Sequence, residues 1–306
     1  MKAARGAPDG PAMRILVLRG GAIGDFLVTV PALRLLRDRW PSARIELAGH
    51  AAAGALGVHA GLLDAIHSQH EARWSALFSA RPLPADFAAW LAGFDLVVNY
   101  WPDPDGTLAR RFPLRPDQQF LTAPAQPTVV PAARHFCAPL QALGLSTEDF
   151  PGRLQLAADH DRGPSTRDPG PPIALHPGSG SARKNWPVDR WVEVCTRLPG
   201  PLLIVGGEAD AAAVRALGRF GSTAFNRPLP ELAAALARCR LFLGHDSGVS
   251  HLAAAVGTPC VLLFGPTDPA MWAPPGRHVR VLRRGASLAA ISVDDVLAAV
   301  GGAARP

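Results

Sequence analysis

The sequence predicts an α/β protein built from two doubly wound parallel sheets that face a common cleft. Three observations carry that expectation. Apolar runs of strand length alternate with helical stretches along the chain, as they do in parallel sheets. Each half opens with a strand, a glycine-containing turn and a helix: Arg14–Leu18 before RGGAIGD, and Ile173–His176 before PGSGSARKNWP. Between the halves, residues 157–172 (AADHDRGPSTRDPGPP) break the alternation with charge, glycine and four prolines, the composition of a linker.

Taken in order, Arg14–Leu18 (RILVL) is an apolar run suited to a strand buried on both faces. After RGGAIGD comes a long amphipathic helical segment over Phe26–Trp40, closed by Pro41. Arg44–Ala48 (RIELA) and Phe94–Asn99 (FDLVVN) read as further strands, with helical stretches over Ala85–Leu91 and Ala132–Leu143. Beyond the linker, Ile173–His176 is a strand, and Pro187 leads into a helix over Val188–Leu198. Leu202–Val205 is the next strand and ends in GGEAD, with a helix from about Ala211 to Leu217. Leu241–Leu243, Cys260–Phe264 and Val279–Leu282 supply the remaining strands. A helix follows GHDSG and is stopped by Gly257-Thr258-Pro259. The expected division is a flexible tail over 1–12, a Rossmann-like N-terminal domain over 13–160 and a Rossmann-like C-terminal domain over 161–306. Open sheets of this kind bind ligands outside the carboxyl ends of their strands.

Composition narrows the function. With 306 residues, 48% of them hydrophobic and 18% charged, the chain has ample material for buried cores. Its apolar runs are too short to span a bilayer, and MKAARGAPDGPA lacks the apolar stretch of a secretory signal, so a cytoplasmic protein is expected. Cys137, Cys195, Cys239 and Cys260 lie far apart without a C-x-x-C pair and read as buried free thiols. The ten histidines show no metal-ligand spacing, so no metal and no cofactor is expected. A formal net charge of +6 suits an acidic partner, such as a nucleotide, a phosphorylated glycolipid or an anionic membrane face. Nucleic acid is not expected, since aromatic and basic residues do not interleave. Of the 31 basic residues, only Lys2 and Lys184 are lysines, which singles out Lys184. The basic character of the N-terminal half rests on arginines such as Arg110, Arg111 and Arg115.

Four turns carry candidate chemistry. RGGAIGD fails the dinucleotide fingerprint G-x-G-x-x-G, because Arg19 holds the place of the first glycine. The second strand then ends in Ala48-Gly49-His50, without an acid for a ribose, which disfavours a nicotinamide enzyme. The turn does place Asp25 at the mouth of the cleft, as a carboxylate base or as an ordinary helix cap. In PGSGSARKNWP, Gly178 and Gly180 let backbone amides approach an anion, Ser179 and Ser181 add hydroxyl donors, and Lys184 can meet a phosphate as a point charge. Trp186 is expected in the core. GGEAD sets Glu208 just past a strand end, as an acceptor for ribose hydroxyls or as an acid in a helix's first turn. In HDSGVSH, Asp246 and Ser247 precede a helix N-terminus that faces an anion well, Gly248 leaves room there, and His251 lies one turn on. Asp103 and Asp105 form a D-x-D, the divalent-metal pattern of other transferases, but in a turn-rich loop that disfavours a metal role.

Together these turns resemble those of family 9 glycosyltransferases, which include the ADP-heptose:lipopolysaccharide heptosyltransferases. The matching stretches are RILVLRGGAIGDFLVTVPAL, HPGSGSARKNWP, LLIVGGEAD and GHDSGVSHLAAAVGTPCVLLFGPTDP, between residues 14 and 269. The resemblance implies a GT-B fold and an inverting, metal-independent transfer from a nucleotide-activated sugar. It implies Asp25 as catalytic base. Ser179, Gly180, Ser181, Lys184, Glu208, Asp246, Ser247, Gly248 and His251 would then hold the donor. ADP-heptose is the donor it suggests, with a lipopolysaccharide-core or related glycan as acceptor and peripheral contact with the inner membrane. Two other readings stay open: a nicotinamide-dependent oxidoreductase, and a GT-B-like nucleotide-sugar binder without transfer activity.

Overall fold

A computed structural model describes residues 13–146, 148, 154 and 170–303. The expected tail over 1–12 and residues 157–169 of the expected linker lie outside the described residues. The apolar runs form two fully parallel sheets. The first contains β1 (Arg14–Arg19), β2 (Arg44–Gly49), β3 (Ala65–Ser68), β4 (Leu96–Asn99) and β5 (Gln119–Thr122), in the order β3-β2-β1-β4-β5. The second contains β6 (Ile173–His176), β7 (Leu202–Gly206), β8 (Ser222–Phe225), β9 (Leu241–His245), β10 (Cys260–Phe264) and β11 (Val279–Arg283), in the order β11-β10-β9-β6-β7-β8.

Both sheets follow one plan. The first strand of each is central, the next two lie to one side, and the chain then crosses to the other side. The order therefore reverses between β1 and β4 and again between β6 and β9, and a crevice opens at the carboxyl end of each reversal. Central strands are buried on both faces: Ile15 lies between Ile45 and Leu96, and Val17 between Leu47 and Val98.

The helices of the first half are α1 (Ile23–Leu27), α2 (Val30–Arg39), α3 (Ala51–His59), α4 (Ala85–Ala92), α5 (Thr107–Arg111) and α6 (Ala132–Cys137). Those of the second are α7 (Val188–Arg197), α8 (Ala211–Leu217), α9 (Leu229–Ala237), α10 (Gly248–Ala255), α11 (Pro269–Trp272) and α12 (Val293–Ala303). The segment expected as one helix over Phe26–Trp40 is two, α1 and α2. Pro31, which has no N–H to donate, sits in the first turn of the second. Pro139 acts likewise after α6, where the chain tightens into a 3-10 turn over Ala138–Leu143.

One apolar core is shared by the halves. It joins Phe26, Val30 and Leu33 to Leu252, Phe242 and Phe264. Within it α1 packs on α10 and α3 on α9. Separate cores cover the remaining faces, around Trp186 and Trp191 in the second half and around Trp74, Phe87 and Phe94 in the first. All four cysteines are free and buried. Among the described residues no helix is long and apolar enough to cross a membrane.

Candidate active site

At the carboxyl end of β1 the chain must turn sharply into α1. Gly21 makes the turn in the left-handed region (φ 99°), where a Cβ would stand 2.4 Å from Asp25 Oδ2. Asp25 is the third residue of α1, and its Oδ2 accepts the Ala22 N–H at 2.8 Å. It thus satisfies a free donor of the helix start from within the first turn rather than from the cap position. Its Oδ1 takes a hydrogen bond from Arg19 Nη2 at 3.0 Å. The Arg19 guanidinium is buried, stacks over the Phe136 ring, and also donates to the Asp25 and Ala125 carbonyls. The Asp25 side chain remains 39% exposed, so it is anchored on one side and open to the cleft on the other.

Across the cleft, the cradle after β6 is drawn tight by its serines. The Ser179 hydroxyl donates to Asn185 Oδ1 at 2.7 Å and accepts the Ser181 N–H at 3.3 Å. A Cβ on Gly180 would meet open space, whereas one on Gly178 would fall 1.6 Å from Asp210 Oδ1. Close packing therefore requires glycine at 178, not at 180. Lys184 ends a 3-10 turn (Ala182–Lys184), and its Nζ donates to Asp246 Oδ2 at 2.7 Å. With the two side chains 30% and 10% exposed, this is a half-buried ion pair. Glu208 sits exposed in the 3-10 turn after β7.

Ser247 is the N-cap of α10, and its Oγ accepts the Ser250 N–H at 3.3 Å. His251, one turn on, is buried near Asp25, Asp246 and Lys184. Burial pushes its pKa down, against the pull of Asp246 and Asp25. Behind the cap, His245 is pushed down to about 4 by burial. Its Nε2 accepts the Trp186 N–H at 2.9 Å, so Nδ1 carries the proton and donates to the Gly178 carbonyl at 3.2 Å. Trp186 is buried against Trp191, as expected of a core residue.

The two turns meet. A Cβ on Gly248 would stand 2.1 Å from Ile23 Cγ2 and 3.0 Å from the Gly24 nitrogen. The start of α1 therefore lies directly against the start of α10. This contact gathers Asp25, the Lys184–Asp246 pair and His251 into one place, although Asp25 and Lys184 are 159 residues apart in sequence (184 − 25 = 159). A cavity of about 530 Å³ adjoins it, walled by His251, Leu27, Ala132, Met271 and Trp272.

Other candidates have local employment. Asp103 accepts the N–H groups of Leu108 and Ala109, and Asp105 those of Thr107, so the D-x-D caps α5. Arg110 and Arg111 donate to nearby carbonyls, and Arg115 pairs with Asp117 and Asp95. Among the described residues no three His, Cys, Asp or Glu side chains converge as metal ligands. Sequence reasoning missed Arg19, His176 and Asp210 as site residues. Their signals were an arginine where a fingerprint wants glycine, and polar residues at or just after strand ends.

Residues 110–294, well over half of the chain, match the family model described as glycosyltransferase family 9 (heptosyltransferase). The chain belongs to glycosyltransferase family 9. This family 9 chain is 36% identical over 119 residues to lipopolysaccharide heptosyltransferase 1 of Pseudomonas aeruginosa, a stretch covering 36% of the chain and 33% of that protein. Matched stretches span 13–33% of the length of its curated relatives. In fold it is similar to a family 9 glycosyl transferase from Veillonella parvula (TM-score 0.77, 21% identity, 95% and 97% of the two chains). It is also similar to the E. coli heptosyltransferase WaaC solved with ADP (TM-score 0.73, 18% identity, 95% and 100% of the two chains). The paired doubly wound sheets of the family 9 chain are the GT-B arrangement.

Proposed function

We propose that this family 9 chain is an inverting, metal-independent glycosyltransferase. It moves a sugar, heptose from ADP-heptose, onto a lipopolysaccharide-core or related glycan acceptor. The observation that carries this reading is the contact of Gly248 with Ile23 and Gly24, which sets the Asp25 carboxylate before the anion-binding start of α10. Membership of the family and the ADP held by WaaC support the donor class.

In this reading the second half holds the donor. The α10 N-terminus with Ser247 and Gly248, the Ser179–Ser181 loop and Lys184 face the diphosphate, while Glu208 accepts from ribose hydroxyls. Asp246 keeps Lys184 in place until a phosphate draws its ammonium, and His251 lies beside the sugar. Asp25 removes the acceptor hydroxyl's proton as that oxygen attacks the anomeric carbon. The bond to the diphosphate breaks on the opposite face, and the electron pair leaves with the nucleoside diphosphate. Lys184 and the α10 amides stabilise that charge. The first half presents the acceptor, and a glycolipid acceptor implies work at the inner membrane face from the cytoplasm.

Thermal-shift measurements with ADP-, UDP- and GDP-sugars and with NAD, each with magnesium and with excess EDTA, test the reading. Stabilisation by an ADP-sugar and sugar transfer in EDTA are expected. A response to NAD alone would favour an oxidoreductase. ADP-sugar binding without transfer to any glycan acceptor would favour a non-catalytic binder.

A further inference from the structure

Beneath the Asp25 turn lies a buried charge to which the transfer reading gives no task. Arg19 closes β1 and is 4% exposed, with the rings of Phe136 and Tyr100 beside it in the apolar core. Burial pushes its pKa down against the pull of Asp25, but a guanidinium stays charged even so. Among the described residues Asp25 is its one carboxylate partner, Nη2 to Oδ1 at 3.0 Å. A charge taken out of water is costly unless its donors are satisfied, so this arginine must be held.

It is held from the side away from Asp25. The guanidinium lies 4.2 Å from the centre of the Phe136 ring, and Nη1 donates to the Ala125 carbonyl at 3.2 Å. Both supports are themselves fixed. The Tyr100 hydroxyl donates to the Phe136 carbonyl, and the two rings meet edge to face. His135 Nδ1 accepts the Thr128 N–H at 3.3 Å, so Nε2 carries the proton and donates to the Pro124 carbonyl at 2.7 Å, next to Ala125. The fork is thus set by α6 and the segment before it.

The backbone of the turn has other supports. The Gly21 N–H donates to Gln69 Oε1 at 3.0 Å, and Gln69 Nε2 donates to the Gly21 carbonyl at 3.3 Å. The Thr29 hydroxyl donates to the Asp25 carbonyl at 2.9 Å, and the Ala22 N–H meets Asp25 Oδ2 at 2.8 Å. What Arg19 adds is its hold on Oδ1. Anchored through Oδ2 alone, the carboxylate could swing about that bond. Arg19 donates to the Asp25 carbonyl through Nε and to Oδ1 through Nη2, which fixes the plane and leaves a lone pair free on each oxygen.

We propose that Arg19 is a positioning residue for sugar transfer, whose guanidinium aims the Asp25 carboxylate at the acceptor hydroxyl. The inference rests on Asp25 being the base, as proposed above. Lysine at 19 would keep the charge but meet Asp25 as a point and not as a fork. A misplacement of about 1 Å costs about a hundredfold in rate, so a loosened carboxylate should cost about tenfold.

The test is a double-mutant cycle on the full chain, with wild type, Arg19→Lys, Asp25→Asn and the double variant. Transfer is read as ADP release from ADP-heptose with a heptose-deficient lipopolysaccharide core as acceptor, and donor binding by calorimetry with ADP-glucose. Arg19→Lys is expected to lower kcat about tenfold while the donor KM and the ADP-glucose affinity stay at their wild-type values. In the Asp25→Asn background the same change should alter the rate by less than about twofold, because an amide whose oxygen faces Ala22 turns an NH2 group to Arg19. An arginine that merely supports the fold would lower both backgrounds by the same factor. An equal drop in both, or wild-type kcat in Arg19→Lys, overturns this inference alone. Should Arg19→Lys fail to fold, Arg19→Gln, which brings no charge into the core, completes the same cycle. Wild-type turnover in Asp25→Asn overturns the proposed base, and no transfer by wild type overturns the proposed function; the inference falls with either.

Discussion

Replacing Gly248 by alanine adds one methyl group at the contact between the two halves. That carbon would lie 2.1 Å from Ile23 Cγ2 and 3.0 Å from the Gly24 nitrogen, so a β-branched side chain and a backbone atom must both yield. Restoring ordinary contact requires the start of α1 to retreat from α10 by about 1 Å or more. Overpacking of this kind costs about 1–3 kcal/mol, and the gain from replacing a helical glycine returns about 0.5–1 kcal/mol of it. The melting temperature should therefore fall by only a few degrees. Turnover should suffer far more, because a misplacement of about 1 Å costs about a hundredfold. Gly24→Ala supplies the control, since its methyl would meet Gly248 Cα at 3.6 Å, an ordinary contact. Thermal unfolding and sugar transfer are measured on both variants. A Gly248→Ala protein with wild-type turnover, or a Gly24→Ala protein that is the worse of the two, would refute the reasoning.

Asp25→Asn should fold, because an amide oxygen still accepts the Ala22 N–H and Arg19 keeps two carbonyl partners, while turnover falls about a hundredfold or more. Transfer at the wild-type rate would make Asp25 a structural residue. Lys184→Met should raise the donor KM and slow transfer, with Lys184→Arg a partial rescue at best, because a fork cannot replace a point charge 2.7 Å from Asp246. Full activity of the arginine variant would count against a phosphate role. Glu46 is a buried carboxylate whose burial is outweighed by hydrogen bonds from His67, Arg14 and Arg44, which draw its pKa down to about 2. A depressed carboxylate stabilises above its unfolded pKa and loses that contribution as pH falls. Stability should therefore drop between about pH 4 and pH 2, and Glu46→Gln should flatten that limb of the unfolding curve.

The central strands were legible because burial on both faces demands continuous apolar runs, as in RILVL and CVLLF. The edge strands β3 (AIHS), β5 (QFLT) and β8 (STAF) escaped notice because one side of each is unpaired, and their residues are mixed. Asp25, Lys184, Glu208 and Asp246 stood out as candidates for a different reason. Each follows a strand end, where open parallel sheets bind ligands. What the sequence hid were relations between turns. Arg19 reads as a broken fingerprint until its guanidinium is seen on Asp25 and under Phe136. Nothing local connects His176 with Asp210, 34 residues on, or with Ser247, 71 residues on. The Lys184–Asp246 pair, likewise, exists only once β6 and β9 lie side by side.

The near-absence of lysine has a practical consequence. Within this sequence an amine-directed acylating reagent meets two lysines, Lys2 and Lys184. Proteolysis after Arg5 separates the first from the second. A label on the peptide that holds residue 184 is a label on Lys184, an ammonium 30% exposed and held by Asp246. Its rate of modification, followed by mass spectrometry on otherwise native protein, is thus an occupancy gauge for the crevice proposed to hold the donor. A ligand that draws this ammonium should slow the labelling in proportion to the sites it fills, with no engineered probe and no isotopic substrate.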